Sequence, residues 1–358
     1  MSGGVDSSLA AFLLKEKGYN VIGITMKLWD FKEVGGDTHQ DRRCCSIEAM
    51  NDARNVCQKL NIPHYVLDFK EEFKERVIKN FVEEYKRGRT PNPCVLCNVE
   101  LKWNALWRKA KELGAQYLAT GHYARIKYDK KTKRYLLLKG TDSQKDQSYA
   151  LWGLTQENLS TTLFPLGEQS KKEARHKAKQ HNLKSAFNPE SQEICFIPDN
   201  DYHRFIKEWV KNEGLEIKPG PIFDLGGRKL GNHMGVPFYT IGQRRGLRVS
   251  LGKPLYVAKI DSDKNAIHVG ENKDLFSSKF KVSSVNWVSI PLVEKEMKCE
   301  IKIRYLHLAS KGAISPLTNG NAMVKFDSPE RAITPGQSAV FYQNDMVLGG
   351  GVIDKIDE

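Results

Sequence analysis

A short glycine-rich segment near the start of the chain constrains the fold most. It reads Ser2-Gly3-Gly4-Val5-Asp6-Ser7 and precedes an apolar, helix-forming run from Leu9 to Leu14. Glycines let the backbone turn tightly and present successive N–H groups, and the following helix N-terminus carries a partial positive charge. We therefore predict that this segment binds phosphate, with serine hydroxyls as further donors and Asp6 either capping the helix or holding a magnesium ion.

Other nucleotide-binding loops do not compete with this interpretation. The sequence contains no G-x-x-x-x-G-K-[ST] motif and no G-x-G-x-x-G after a predicted strand. A phosphate loop of the kind seen at residues 2–7 needs a buried strand in front of it, whose backbone groups would be paired within a parallel sheet. We expect that strand to lie upstream of the sequence as given.

The charge of the chain predicts a polyanionic partner. Its 358 residues suffice for two or three domains, and 56 Lys and Arg against 43 Asp and Glu give a formal charge of +13. Basic residues concentrate at 127–145 and 171–179, although a single run of this kind more often marks a solvated face. The longest apolar run, Leu9 to Leu14, is too short to cross a bilayer, so we expect no membrane association.

The cysteines indicate thiol chemistry. Seven are present, an odd number without a signal peptide, which is typical of a reducing compartment. Cys94 and Cys97 form a C-x-x-C in a proline-rich loop that leads into a predicted helix, where a thiolate would be stabilised. A zinc site would need a second pair of ligand residues, and the sequence offers no second C-x-x-C or H-x-x-x-H. Cys195 is either a reactive thiol or a buried apolar residue in a short strand. We expect the other cysteines to pack: Cys44, Cys45, Cys57 and Cys299.

Periodicity predicts an α/β domain followed by β structure. The predicted fold is a PP-loop parallel-sheet domain at 1–199, a small central α+β domain at 200–271 and a C-terminal β-barrel at 272–358. We predict strands at 21–28, 64–69 and 116–120 and helices at 46–60, 73–86, 100–113 and 201–213. Further strands are predicted at 237–241, 279–288, 298–305, 321–326, 339–342 and 346–353.

The motifs together resemble a known family. S-G-G-x-D-S resembles the signature of the PP-loop ATP pyrophosphatases, and the order SGGVDSS, TPNPCVLCN, ATGHYARI, KDQSYAL, SQEICFI, FYTIGQRRGL, IRY, TPGQSAV and LGGG is similar to that of the tRNA-specific 2-thiouridylases over nearly the full length. The resemblance implies ATP-dependent 2-thiolation of the wobble uridine, U34, of tRNA. The C2 oxygen would be adenylated and replaced by sulfur, giving 2-thiouridine, AMP and pyrophosphate.

The resemblance also implies residue roles. Cys97 would be the nucleophile and Cys195 the persulfide carrier, and the two would form a disulfide when sulfur is released. Mg²⁺ would accompany ATP. The residues implied in binding fall into three groups: for ATP, Ser2, Gly3, Gly4, Val5, Asp6, Ser7, Met26 and Gly121; for the target base, Asn92, Pro93 and Cys94; and for tRNA, His122, Lys145, Asp146, Gln147, Arg304, Tyr305 and Gln337. Taken alone, Tyr305 and Gln337 are more economically explained as barrel residues.

One departure from the family leaves the sulfur route open. Many members carry Asp where this chain has Cys94, so Cys94, Cys97 and Cys195 would form a three-thiolate set able to hold a 4Fe–4S cluster with one open iron. Sulfide would then travel on iron, without a disulfide step. The persulfide route is the one that the resemblance describes directly.

Two other function classes remain open from the sequence. A PP-loop ligase acting on a small metabolite would use the same first loop without needing paired thiols, and a non-catalytic RNA-binding protein would keep the charge and the barrel. For a 2-thiouridylase we expect a tRNA partner, a sulfur-relay or cysteine desulfurase donor, a monomeric state and cytoplasmic residence, with organellar targeting left open by the missing upstream segment.

Overall fold

The computed structural model describes residues 1–30, 46–188, 194–249 and 252–356. Cys44, Cys45 and most of the SQEIC motif fall outside these residues. Contacts group the chain into two units. The first comprises Met1–Val77, Cys94–Asp201 and Asp345–Val347, and the second comprises Ile78–Pro93, Tyr202–Asn344 and Leu348–Glu358. The phosphate loop and the thiols Cys94, Cys97 and Cys195 belong to the first unit.

Up to residue 201 the chain alternates helices with short strands. In chain order these elements are α1 (Val5–Glu16), β1 (Gly23–Lys27), α2 (Ile47–Lys59), β2 (His64–Asp68), α3 (Lys70–Phe73), a π-helix (Lys74–Ile78), α4 (Lys79–Lys86), α5 (Pro93–Leu96), a π-helix (Cys97–Leu106), α6 (Trp107–Glu112), β3 (Leu118–Ala119), β4 (Ala124–Asp129), β5 (Arg134–Lys139), α7 (Gln156–Ser160), β6 (Thr162–Leu163) and α8 (Lys171–Gln180).

The parallel pairing predicted for the first domain is confirmed. β1 pairs with β2 in parallel, with Met26 opposite Leu67, and β3 pairs with β6 in parallel. α1 buries Leu9 completely, in a cluster with Tyr123, Leu166 and Ala174. The crossover from β1 to β2 carries α2, and in such parallel units ligands bind at the loops that follow the strands.

Serine caps fix where two of these helices begin. The Ser46 hydroxyl accepts a hydrogen bond from the Ala49 amide at 3.0 Å, so α2 begins where its capping serine predicts. Ser170 and Glu173 form a reciprocal capping box, with the Ser170 amide donating to Glu173 at 2.7 Å. This cap makes Lys171 the first residue of α8.

From residue 202 onward the chain is rich in strands. Its elements are α9 (Tyr202–Asn212), β7 (Gly220–Asp224), β8 (Lys229–His233), a 3₁₀ turn (Val236–Phe238), β9 (Tyr256–Asp261), β10 (Ala266–Gly270), a 3₁₀ turn (Asn272–Leu275), β11 (Phe276–Asn286), β12 (Met297–Lys302), β13 (Ser310–Pro316), β14 (Ala322–Arg331), β15 (Ser338–Gln343) and β16 (Met346–Ile356). Strands β7 to β10 form one sheet.

The predicted C-terminal barrel is confirmed. Its six strands follow the order β11-β14-β13-β12-β15-β16, and β11 also pairs with β16, which closes the ring. Closure leaves no exposed sheet edge. Phe280, Phe326 and Phe341 are fully buried inside the second unit.

Three details of the strand prediction were wrong. Residues 237–241 begin in a 3₁₀ turn instead of a strand, because Gly235 has φ of 137° and Pro237 lacks the amide that a sheet ladder needs. β12 ends at Lys302, so Arg304 and Tyr305 lie in the following turn. β13 was not predicted. None of the helices in the described ranges is long and apolar enough to cross a membrane.

The capping box of α8 gives a stability prediction. Ser170→Ala removes the oxygen that accepts from the Glu173 amide, so we expect the free energy of unfolding to fall by about 1 kcal/mol. Urea denaturation monitored by circular dichroism measures this change. Ser143→Ala, at an exposed loop position, is the control and should change it by less than about 0.5 kcal/mol. Equal losses in the two variants would contradict a capping role.

Candidate active site

The glycine loop at residues 2–7 has the geometry of an anion-binding turn. Gly3 has φ of 73°, and a Cβ there would lie 2.3 Å from the Ala49 carbonyl oxygen, so only glycine fits. No side chain of the described residues caps the first turn of α1, which begins at Val5. The first amides of α1 are therefore available to an anionic ligand.

Hydroxyl groups hold this loop in shape. Ser2 and Ser7 share a hydrogen bond between their Oγ atoms at 3.1 Å, and the Ser7 and Ser8 hydroxyls both donate to the Gly4 carbonyl oxygen, at 3.1 and 2.9 Å. Asn188 donates to the Gly3 carbonyl oxygen at 3.1 Å. These bonds preorganise the loop. The contact of Asn188 was not predicted from the sequence.

Gly121 lies directly against the phosphate loop. A Cβ at Gly121 would come within 2.7 Å of the Asp6 carbonyl carbon and 2.9 Å of the Ser7 amide nitrogen. Met26, the other residue that the resemblance assigns to the adenosine, lies near the carboxyl end of β1, and it is half-buried. The close approach of Gly121 to Asp6 and Ser7 requires glycine, because a larger residue would displace α1. The ATP contact that the resemblance implies for Gly121 stays a prediction.

Asp6 is part of an ion pair that the sequence did not predict. Lys171 Nζ donates to both carboxylate oxygens, at 2.8 and 2.7 Å, and the Tyr123 hydroxyl donates to one of them at 2.8 Å. The Lys171 ammonium also lies 5.5 Å from the centroid of the Tyr123 ring. Asp6 therefore does not cap α1. Lys171 belongs to the basic run at 171–179, which composition alone cannot distinguish from a solvated face.

We expect Lys171→Met to destabilise the first unit. Lys171 is only 12% exposed, so its removal leaves a partly buried carboxylate without its cation and should cost about 1–3 kcal/mol of unfolding free energy. Lys172→Met, at the adjacent exposed position, is the matched control, expected within about 0.5 kcal/mol of the unaltered chain. Urea titration measures both. A loss in Lys172→Met as large as that in Lys171→Met would contradict the ion pair's role.

The thiol-bearing helix begins earlier than predicted. It starts at Pro93, whose missing amide suits a first helical position, and continues as a π-helix from Cys97. The predicted helix start at residue 100 was therefore too late, since Cys94 already occupies the first turn. Cys94 is exposed and Cys97 is half-buried, and neither is in a disulfide among the described residues. π-helical segments are rare and occur frequently at functional sites.

Lys102 supplies a positive charge beside Cys94. Its Nζ donates to the Asn98 side-chain oxygen at 2.7 Å, and buried Asn98 in turn donates to the Ala150 carbonyl oxygen at 2.9 Å. Surrounding protein raises the pKa of the Cys94 thiol, and the Lys102 charge opposes that shift. Cys94 thus lies in a recess that solvent reaches. Lys102 was missed from the sequence because it is one of 56 basic residues.

His122 is held neutral close to Lys102. Burial lowers its pKa well below 6.5, and the Lys102 charge lowers the pKa further. Its Nδ1 shares a hydrogen bond with the Thr120 hydroxyl at 2.7 Å, and its ring lies 5.7 Å from Trp103 and 5.9 Å from Phe164. The predicted tRNA contact is therefore an uncharged imidazole in an aromatic setting.

The low pKa of His122 makes stability depend on pH. Below pH 6.5 the unfolded chain takes up a proton at this residue while the folded chain does not, so its contribution is complete above pH 6.5 and declines as the pH falls toward the folded pKa. Between pH 7 and pH 5, the unaltered chain should lose about 1 kcal/mol more unfolding free energy than His122→Gln. Urea titrations at both values measure the difference; equal losses would contradict a neutral His122.

Cys195 lies in a turn anchored by its neighbours. The Ile197 amide donates to the Ile194 carbonyl oxygen at 3.1 Å, and Phe196 packs edge-on against Phe73 at 5.5 Å. Phe196 and Ile197 are each 1% exposed, whereas Cys195 is half-buried and is not in a disulfide among the described residues. The short strand considered for this segment is not present at residues 194–198. Its reactive group is thus accessible on a fixed turn.

The predicted three-thiolate set stays a prediction. Among residues 1–30, 46–188, 194–249 and 252–356, no three His, Cys, Asp or Glu side chains lie close enough together to share a single metal ion. Cys94, Cys97 and Cys195 are all within these ranges.

The predicted tRNA contacts in the first unit are mostly engaged within the protein. Buried Asp146 accepts from the Gly140 amide at 3.0 Å and from the Ser148 hydroxyl at 2.9 Å. Gln147 accepts from the Tyr123 amide at 3.1 Å. Lys145 is half-buried in the same loop. Asp146 and Gln147 thus fix the conformation of the loop that presents Lys145.

Gln337 holds the segment before Asn92 and Pro93 in the second unit. Its side-chain nitrogen donates to the carbonyl oxygens of Thr90 and Pro91, at 2.9 and 3.2 Å. The Thr90 amide donates to the Pro335 carbonyl oxygen at 2.8 Å. These bonds position residues 90–91 from the barrel side. Arg304 and Tyr305 lie in the turn after β12, with Tyr305 39% exposed and Arg304 half-buried.

The fold and the site define a class. The uncapped glycine loop before α1, the parallel α/β unit and the closed barrel are the parts of a PP-loop enzyme with appended barrel domains. Three family profiles match: "tRNA methyl transferase HUP domain" at residues 1–199, "tRNA methyl transferase PRC-barrel domain" at 205–271 and "Aminomethyltransferase beta-barrel domain" at 277–353.

Curated relatives specify the family. The chain is 52% identical over 356 residues to "tRNA-specific 2-thiouridylase MnmA 2" of Thermoanaerobacter sp. (strain X514), covering 99% of this chain and 96% of that protein. It is 48% identical over 357 residues to "tRNA-specific 2-thiouridylase MnmA" of Natranaerobius thermophilus, with the same coverage. The chain belongs to the tRNA-specific 2-thiouridylase MnmA family.

One similar solved structure carries a cluster. It is "U34-tRNA thiolase NcsA from Methanococcus maripaludis with its [4Fe-4S] cluster", 20% identical, with a TM-score of 0.33 over 60% of this chain and 64% of that chain. A likeness this low supports no inference about a cluster in the present chain.

Proposed function

We propose that this chain catalyses ATP-dependent 2-thiolation of the wobble uridine, U34, of tRNA. The observation that carries the proposal is the likeness to 2-thiouridylases over 99% of the chain, in a protein that keeps both the phosphate loop and the two thiols Cys97 and Cys195. The family profile is named for a tRNA methyl transferase, whereas the names of the curated relatives specify 2-thiouridylation. A phosphate loop and free thiols suit adenylation and sulfur transfer.

The first step activates the uracil. The C2 oxygen attacks the α-phosphorus of ATP, the bond to the bridging oxygen breaks, and pyrophosphate leaves. Residues 2–7 and the first amides of α1 hold the phosphates. Asp6 would hold Mg²⁺, which supplies charge neutralisation and commonly takes one carboxylate plus phosphate oxygens. Because both Asp6 oxygens bind Lys171, the ammonium would have to move aside, toward the phosphates.

The second step delivers sulfur. The Cys97 thiolate attacks Sγ of a Cys195 persulfide, the persulfide S–S bond breaks, and hydrosulfide leaves as the Cys97–Cys195 disulfide forms. The outer sulfur gains the two electrons that the two cysteines lose. Hydrosulfide then adds to C2 of the adenylated uridine, and the C2–O bond breaks to release AMP. A thiol reductant restores both cysteines for the next turnover.

Lys102 and His122 complete the site of the second step. The negative charge of the adenylated oxygen grows as its bond to C2 breaks, and the Lys102 ammonium beside Cys94 would stabilise it. His122 is neutral, so it can donate one hydrogen bond to the base without adding charge. Cys94 carries no step in this scheme, because its raised pKa keeps it a thiol.

Finer assignments accompany this proposal. We place the domain boundaries after residues 199 and 271. Asn92 and Pro93 are assigned to the target base, and Arg304 and Tyr305 to tRNA. The proposed sulfur donor is a sulfur-relay or desulfurase protein. A monomer in the cytoplasm suits free thiols and the +13 charge. No step is assigned to an iron–sulfur cluster, since the described residues offer no group of three ligands for a single metal ion.

Cysteine substitutions test the sulfur route. Cys97→Ser and Cys195→Ser should each lower thiolation of unmodified tRNA by at least about 100-fold, because a hydroxyl neither carries nor reduces a persulfide. Both should keep a tRNA-dependent single-turnover burst of pyrophosphate. Mass spectrometry of 2-thiouridine and a pyrophosphate assay measure the two steps. Cys299→Ser is the control, because burial raises the pKa of Cys299 to about 12 and makes it unreactive.

Three outcomes would contradict the proposal. Thiolation that requires stoichiometric iron and acid-labile sulfide in anaerobically purified protein would replace the persulfide route with a cluster. AMP formation independent of tRNA would favour a small-molecule ligase. Binding of tRNA that is unaffected by ATP, without any thiolated product, would identify a non-catalytic RNA-binding protein. Activity of metal-free protein given a persulfide donor is the expected result.

A further inference from the structure

One short segment of the second unit is held in place from several sides. Residues 88–91 follow α4 and lead to Asn92 and Pro93, which the resemblance assigns to the target base. Gly88 has φ of 70° and lies against β9, where a Cβ on it would come within 2.4 Å of the Ile260 side chain. The other contacts of the segment are with the barrel, and all of them lie within the second unit. Side chains that are distant in sequence therefore fix this segment.

The backbone of Thr90 is held at both of its polar atoms. Its amide donates to the Pro335 carbonyl oxygen at 2.8 Å, and its carbonyl oxygen accepts from Gln337 Nε2 at 2.9 Å. The same nitrogen of Gln337 donates to the Pro91 carbonyl oxygen at 3.2 Å. Gly336 has φ of 91°, and a Cβ there would come within 2.8 Å of the Thr90 carbonyl oxygen. The backbones at Thr90 and Gly336 are therefore in direct contact, which only glycine permits.

Arg89 ties the start of the segment to the last strand of the barrel. Its Nε donates to the Glu84 carboxylate at 2.7 Å, and one terminal nitrogen donates to the Asp354 carboxylate at 3.0 Å. The other terminal nitrogen donates to the Ile353 carbonyl oxygen at 3.3 Å. The side chain is only 21% exposed, and its planar guanidinium makes these bonds in one fixed arrangement. Because two carboxylates compensate its charge, Arg89 holds protein groups and is not a cation for RNA.

Arg89 and Gln337 are anchored at the same residue of β16. The Ile353 amide donates to the Gln337 carbonyl oxygen at 2.8 Å. The Ile353 carbonyl oxygen accepts from the Gly336 amide at 2.8 Å as well as from Arg89. The Ile353 side chain is fully buried, and a buried barrel strand is among the last parts of a fold to open. Residues 89–91 are thus attached to a rigid part of the barrel.

We propose that Arg89 and Gln337 are positioning residues for the thiolation reaction. They hold residues 90–91 and, through the chain, Asn92 and Pro93, which align the target uridine for both chemical steps. This inference rests on the proposed function. Gln337 acts through the protein backbone, whereas the resemblance implies a tRNA contact for it. Because a displacement of about 1 Å can cost about 100-fold in rate, the barrel contributes to the rate of the reaction as well as to binding.

Rates of the full chain at saturating tRNA test this inference. Gln337→Met keeps the length of the side chain but donates no hydrogen bond. It should slow both the tRNA-dependent pyrophosphate burst and the formation of 2-thiouridine at least about 10-fold, because a misaligned base affects both steps. The dissociation constant for unmodified tRNA should change by less than about 2-fold, since no contact with tRNA is lost. Gln343→Met, at an exposed position of the same barrel, is the matched control and should leave both rates within about 2-fold.

A double-mutant cycle tests whether the two side chains act on one segment. Arg89→Met should also slow the burst without weakening tRNA binding. Because both side chains hold the same residues, the variant Arg89→Met/Gln337→Met should lose less rate than the product of the two single losses. Melting curves verify that each variant is folded at the assay temperature.

Three results would overturn the inference. Weaker tRNA binding by Gln337→Met, with an unchanged rate at saturating tRNA, would replace positioning with a direct tRNA contact. Unchanged rates per folded molecule in Gln337→Met and Arg89→Met would leave the two residues a role in stability only. An equal loss of rate in Gln343→Met would remove the specificity of the effect. Failure of the proposed function would appear separately, as absence of a tRNA-dependent burst and of thiolation in the unaltered chain.

Discussion

The ion pair between Asp6 and Lys171 is the interaction on which the first unit's site depends. It joins the end of the phosphate loop to the start of α8, and Tyr123 connects both to β4. A cation at a helix N-terminus opposes the helix dipole, so Lys171 is placed there at some cost in stability. The Asp6 carboxylate offsets that cost while no phosphate is bound. The same ammonium is then positioned to neutralise phosphate, and this links loop stability to ligand binding.

The thiol helix follows a second electrostatic arrangement. Lys102 is oriented by a neutral amide, Asn98, instead of a carboxylate, so its charge remains effective at both Cys94 and His122. It disfavours a second cation at His122 and favours anionic sulfur or oxygen nearby. The surrounding protein raises the pKa of the Cys94 thiol, against the effect of the Lys102 charge. The helix supplies the Cys94 thiol and the Lys102 ammonium, and the loop after β3 supplies the neutral imidazole of His122.

Sequence reasoning found the loop, the thiols and the barrel because each has a local signature. The glycines at 3 and 4, the C-x-x-C and the alternation of apolar and polar residues in a strand can each be recognised within ten residues. It missed Lys171, Lys102 and Asn188, whose partners lie far along the chain or among many similar side chains. It also placed the start of the thiol helix too late, at residue 100, because the Pro93 signal was interpreted as loop stiffness. Long-range pairing, not local propensity, decides these positions.

If relatives carry Asp at this position, as the resemblance implies, Cys94 changes the charge of the site more than its shape. An ionised Asp beside Lys102 would form a neutral pair, whereas the Cys94 thiol, with its raised pKa, leaves the ammonium uncompensated. The site then carries one more positive charge at neutral pH. An uncompensated cation strengthens the hold on an adenylated, anionic intermediate, and it removes the carboxylate that could exchange a proton with the base. In the proposed mechanism, leaving-group stabilisation is therefore assigned to Lys102, and proton transfer to water or His122.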